Sequence, residues 1–158
     1  MTIFKGLVLM NWTGKDMDTY LLQKEYIDTL VVPLVKIETK IDNMKTSASS
    51  TEFIMHLASL IETQFKGRMM FAPPFSYTTT TDSLHMAQTT LREFSDTSFK
   101  HVFFLTTDHA WTSIELPGQV IWMPSIPLEN MEASLRQSIL EDQLRQVLPK
   151  FTEQWSKQ

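Results

Sequence analysis

Four short apolar runs divide the 158-residue chain: Leu30 to Ile37, Arg68 to Ala72, His101 to Thr107 and Val120 to Met123. None carries a helical period, and each is rich in β-branched, aromatic or methionine side chains. Runs that are apolar at successive positions suit strands covered on both faces, as in a parallel sheet held between layers of helices. The segments between the runs carry the complementary pattern. Met17, Tyr20, Leu21 and Lys24 follow Asp16, a predicted N-cap. Phe53, Leu57, Leu60, Ile61 and Phe65 follow the capping-box pair Ser49 and Glu52, and Leu84, Ala87, Leu91 and Phe94 follow Thr81 or Asp82. A last stripe runs from Met131 through Leu135, Ile139, Leu144, Val147 and Leu148 to Phe151 and Trp155. This alternation predicts an α/β fold, a single three-layer α/β sandwich around a mostly parallel sheet of four to five strands.

The joints between elements carry further expectations. Pro33 lies inside the first strand, where a missing donor favours an edge or a bulge. Thr39 to Ser50 is polar and reads as a loop, with the next helix beginning only at the capping box. Pro73-Pro74 stops the second strand, and a hydroxyl-rich turn from Ser76 to Thr81 leads into the following helix. Asp108 to Gln119 is only just long enough for a parallel crossover, so a parallel and an antiparallel fourth strand both stay open. Pro149 is expected to kink or stop the last helix, leaving Lys150 to Trp155 as a separate turn or a frayed continuation.

Composition narrows the chemistry. The chain has no cysteine, which removes disulfides, thiol nucleophiles and thiolate metal sites. Its net charge of -4 is the wrong electrostatic footprint for nucleic acid. Four scattered glycines build no phosphate-cradling loop. The longest apolar stretch near the start, Leu7 to Met10, is far below a membrane span, so no membrane insertion is expected. His56, His85 and His101 are isolated in sequence, and no metal or cofactor is implied. Lys5-Gly6 can be encoded by a purine-rich stretch resembling a bacterial ribosome-binding site, three codons before Met10. Residues 1–9 are therefore expected to be a non-native or disordered extension, with residues 10–158 forming the single domain; the intact mass of the native protein tests this.

In a parallel sheet ligands gather outside the carboxyl ends of the strands. Here those ends supply Lys36 and Glu38, then Ser76 and Tyr77, then Thr106, Thr107, Asp108 and His109, then Ser125. Asp108-His109 is the one adjacent carboxylate–imidazole pair, with Trp111 beside it as a wall. The candidate ligand-binding residues are thus Ser76, Tyr77, Asp108, His109, Trp111 and Ser125. Neighbouring residues on a strand point to opposite faces, so Asp108 need not orient His109, and a turn-capping role for Asp108 is the plainer reading. No Gly-x-Ser-x-Gly elbow supports a serine nucleophile. Thr78 to Thr81 opens a helix, where an anion is favoured, but Asp82 would repel it. At the far end, Phe151 and Trp155 beyond Pro149 are candidate interface residues: either they stand partly exposed and meet a protein partner or a second copy, or the terminal helix simply packs them against its own sheet. Met44, Met55, Met86 and Met131 add an adaptable apolar surface.

The run Asn11-Trp12, Asp16, Tyr20, Lys24-Glu25-Tyr26-Ile27-Asp28-Thr29 and Val32-Pro33-Leu34 resembles the start of the YpiF-like proteins, an uncharacterised family of Bacillales and related Gram-positive bacteria. Phe104-Leu105-Thr106 and Pro124-Ser125-Ile126-Pro127 fit the same resemblance. It implies a cytoplasmic bacterial protein of this length and brings no activity, cofactor or catalytic residue with it. Two readings of function follow, a leading one and an alternative, in that order. One is a non-enzymatic accessory protein that contacts a partner; the other is a small-molecule-binding protein or enzyme with its site at the strand ends. A pocket at those ends favours the second, and an exposed Phe151–Trp155 patch favours the first.

Overall fold

Residues of a strand direct their backbone groups to alternate edges, and this decides how β1 (Thr29–Lys36) can carry a proline. The computed structural model describes residues 10–116 and 119–157, so the expected extension, residues 1–9, lies outside it. Thr29 N–H donates to Arg68 O at 3.2 Å, and the Val31 carbonyl accepts from Ala72 N–H at 2.9 Å. Odd-numbered residues of β1 therefore serve one edge. Asp28 O accepts from His101 N–H at 3.1 Å, so even-numbered positions serve the other. Pro33 faces the odd edge, where the partner strand is itself broken at Pro73-Pro74 into β2 (Met69–Phe71) and β3 (Phe75–Tyr77). The missing donor thus meets a break in the partner's ladder. Pro33 thus sits in a central strand, not at an edge, and residues 76 and 77, expected in a turn, belong to β3.

The register runs Thr29↔Met69 to Val31↔Phe71 and Leu34↔Phe75 to Lys36↔Tyr77 on that side. On the other side, β4 (His101–Thr106) pairs from Thr29↔His101 to Pro33↔Leu105. β5 (Val120–Trp122) pairs with β4 from Phe104↔Val120. Every pairing is parallel, including β5, which settles the crossover left open by the sequence. The order across the sheet is β2 or β3, β1, β4, β5.

Helices cover both faces. α2 (Ile41–Gln64) and α4 (Ala133–Trp155) pack on one side, where Val31, Val35, Phe103 and Leu105 meet Phe53, Leu57, Ile61, Val147 and Phe151. α1 (Gly14–Gln23) and α3 (Ser83–Phe94) cover the other, where Leu30, Val32, Leu34 and Phe104 meet Tyr20 and Ala87. Alternate residues of β1 thus feed two cores, as continuous apolar strands require. Thr13, not Asp16, caps α1: its side chain accepts from Asp16 N–H at 3.1 Å. Asp82 caps α3 through His85 N–H at 3.0 Å, as one of the two expected residues.

Two helices are longer than expected. α2 starts at Ile41, so the segment read as a loop is helical and Ser49–Glu52 is no capping box. Packing overrides propensity here: Ser47 is buried, its hydroxyl donating to Lys36 O at 2.8 Å and accepting from Glu38 N–H at 3.1 Å. α4 runs unbroken through Pro149. Proline removes the donor to the carbonyl four residues back, that of Arg145, and both residues lie on the exposed face where water replaces it. The helix therefore carries Phe151 and Trp155 inward. Phe151 is 0% and Trp155 9% exposed, correcting the expectation of exposed rings there. Trp155 Nε1–H donates to Thr29 Oγ1 at 2.9 Å, and Arg68 lies 3.9 Å over its ring.

Candidate functional site

The connection from β1 leads through α2 to one side of the sheet, and the connection from β4 leads to β5 on the other. The two chains diverge at the carboxyl ends of β1 and β4, leaving a crevice at the point where the strand order reverses. A cleft of about 360 Å³ occupies this position. Its floor is Leu34, Val35 and Lys36 of β1; its far wall is Thr107, Asp108 and His109 after β4. The near wall is a polar stripe of α2: Asn43, Thr46, Ser47, Ser50 and Thr51.

Each charged group at the cleft already has a partner. Lys36 Nζ lies 3.3 Å from Glu38 Oε1. Asp108 is fixed on three sides. Its N–H donates to Thr106 Oγ1 at 3.0 Å, one carboxylate oxygen accepts from Ala110 N–H at 3.0 Å, and the other accepts from the Tyr77 hydroxyl at 2.6 Å. The bond to Ala110 caps the short 3₁₀ turn His109–Ser113. Behind it, Trp111 Nε1–H donates to the Tyr77 hydroxyl at 2.8 Å. Burial, and then the Asp108 carboxylate, push the Tyr77 hydroxyl above its ordinary range, so it stays a proton donor at all moderate pH.

His109 does not join this chain. Its ring stands edge-on to Trp122 at 5.1 Å between centroids, and Trp122 is held by a bond from its Nε1–H to Thr107 O at 3.1 Å. Both Asp108 oxygens are engaged elsewhere, so the plainer reading of Asp108, a turn cap, describes its geometry.

Of the six residues expected at the site, Asp108 and His109 line the cleft, and Tyr77 and Trp111 brace it from behind. Ser76 is exposed on β3 and is not among the lining residues. Ser125 lines a neighbouring depression of about 210 Å³ with Lys45, Ser49 and Glu129. Thr46 and Ser50 border both hollows. The α2 stripe was missed because its segment reads as a loop. The signal was present: positions 43, 46, 47, 50 and 51 recur at helical spacing, but in hydroxyls and an amide instead of apolar groups.

Among the described residues no three His, Asp or Glu side chains converge on a metal position. None of the described helices is long and apolar enough to cross a membrane.

The profile of the family described as "Protein of unknown function (DUF2487)" matches residues 18–155. The chain is 35% identical over 147 residues to the uncharacterized protein YpiF of Bacillus subtilis (strain 168), an alignment covering 93% of this chain and 99% of that protein. No solved structure matches the chain significantly. With most of its length matched on both counts, the chain belongs to the DUF2487 family, as the resemblance at its amino end implied.

Proposed function

We propose that this protein binds a small polar molecule in the cleft between the carboxyl ends of β1 and β4. One observation carries the reading: the cleft lies where the chain connections of the sheet diverge, the position at which open α/β sheets bind ligands. Its size is at the lower end of small-molecule sites. Its walls combine hydroxyls, an amide and an ion pair on rigid elements, and the Asp108–Tyr77–Trp111 chain stiffens the far wall. The chemistry supported is recognition. Asp108 accepts from Tyr77 and Ala110, and among the described residues no carboxylate is bonded to His109 to orient it as a base.

The test is a ligand screen read by amide chemical shifts. Compounds that bind should perturb Lys36, residues 43–51 and residues 107–109 as one group. Binding that perturbs only other regions, or none of any class, would overturn the reading.

A partner-binding role has its own support, although it no longer rests on Phe151 and Trp155. Leu21, Leu22 and Tyr26, on and just after α1, are each exposed, Leu22 at 85%. Light scattering on the intact protein and on Leu22→Glu tests this; a species larger than the monomer that the variant abolishes supports it, and a monomer at all concentrations excludes self-association. The cytoplasmic setting implied by the family belongs to this proposal and is checked by fractionating the source cells.

A further inference from the structure

Resting on the cleft being a ligand site, we infer that its ligand is an uncharged, hydroxyl-bearing molecule of sugar or polyol size. The charged groups at the cleft are all engaged before anything binds, Lys36 with Glu38 and Asp108 with Tyr77 and Ala110. An anion would have to draw Lys36 from Glu38, 3.3 Å away, and would then face the abandoned carboxylate. A cation would compete with Lys36 for Glu38, and would find each Asp108 oxygen already accepting a bond, from Tyr77 and from Ala110. Drawing Lys36 and Glu38 apart in either case loses one charge-assisted contact for the one gained.

The unspent groups are of another kind. Ser47 and Thr51 use their hydroxyls within the fold, on Lys36 O and Ser47 O. Asn43, Thr46 and Ser50, at successive helical turns of the same wall, have no side-chain partner among the described residues. An amide and two hydroxyls, each able both to donate and to accept, match a ligand whose hydroxyls do the same.

The test compares neutral monosaccharides, disaccharides and polyols with their phosphate esters and with amino acids, by calorimetry on the intact protein and amide-shift mapping. The double variant Thr46→Val/Ser50→Ala accompanies the wild type, with Ser125→Ala as a control in the adjoining depression. A neutral sugar or polyol is expected to map to the cleft, to bind at least tenfold tighter than its phosphate ester, and to lose tenfold or more in the double variant but not in the control. Tighter binding of an ester or an amino acid in the cleft overturns the ligand class and leaves the site standing. A neutral ligand that maps elsewhere, or is unaffected by the double variant, overturns the site as well. Absence of binding by every class at millimolar concentration overturns both.

Discussion

Two clefts among the described residues are nearly equal in size and opposite in character, about 360 Å³ at the carboxyl ends of β1 and β4 and about 370 Å³ beside the break between β2 and β3. The second is lined by Trp12, Pro33, Met55, Phe71 and the Pro73-Pro74 pair, with one acid, Glu62, at its inner wall. Asp108 at the first cleft meets two donors and a fixed backbone, whereas Glu62 is 3% exposed and its one hydrogen bond among the described residues is from Met10 N–H. Burial, opposed by that one bond, raises the Glu62 carboxyl to about 7. Volume therefore distinguishes nothing here. What sets Glu62 apart is burial with a single donor, which holds its carboxyl partly neutral.

The largest effect tests the frame that both clefts share. Phe151 touches the Phe65 and Phe103 rings at 5.9 and 5.0 Å between centroids. Phe151→Ala is expected to lose about 3–5 kcal/mol of stability in urea unfolding. A loss under about 1 kcal/mol, well short of the core penalty, would mean that the end of α4 is loose in solution, reviving the exposed-aromatic interface.

Glu62 comes next. Its folded-state pKa of about 7 lies above the ordinary 4.5, so folding favours the protonated acid. Stability is then fullest below pH 4.5 and falls as pH rises through 7. The drop between pH 5 and 8 is expected at roughly 1–3 kcal/mol, discounted for partial solvation. Glu62→Gln should flatten this slope and be the more stable protein at pH 8; an unchanged slope would show Glu62 to be solvated and erase the contrast with Asp108. We propose residues 1–9 as the non-native extension, and the same curve probes what that would change. A version beginning at Met10 would place a charged α-amino group on Glu62, and its slope should be shallower than that of the 158-residue chain.

Tyr77→Phe strikes the other side of the comparison. It removes the donor to Asp108 and the acceptor of the Trp111 indole together, at an expected cost of about 1–3 kcal/mol. The cost should persist across pH 5 to 8, because the lost groups do not titrate there. A cost that vanished at high pH would mean that Tyr77 and Asp108 repel each other when the wall is built.

What the sequence disclosed follows the same division. The strands were legible because burial on both faces leaves continuous apolar runs, and β1, β2, β4 and β5 stand within a residue or two of their expected bounds. The strand ends gave Lys36, Glu38, Asp108 and His109 by position alone. The α2 wall was illegible, since Thr46, Ser47 and Ser50 have neither helix propensity nor an apolar period, and the contact of Ser47 with the end of β1 is a property of the assembled fold. The aromatic end of α4 was misread for a related reason. A proline forbids one hydrogen bond, but whether that breaks a helix depends on which face it occupies, and this is a property of the assembled core.

The smallest effect is the most discriminating between wall and defect. Thr46→Val/Ser50→Ala changes polar groups that make no bond within the described fold, so stability should move by no more than about 0.5 kcal/mol. Met55→Ala on the apolar cleft removes a thioether packed beside Pro33 and Phe71 and should cost more, about 1 kcal/mol for a half-exposed side chain. Denaturant curves on the two proteins side by side give the comparison its simplest form. A polar wall that can be altered without loss of stability has its side chains free for something other than folding, and an apolar wall that cannot is part of the core. If the hydroxyl pair proves the costlier loss, the α2 stripe is structural, and the unspent groups that point to a ligand are spent after all.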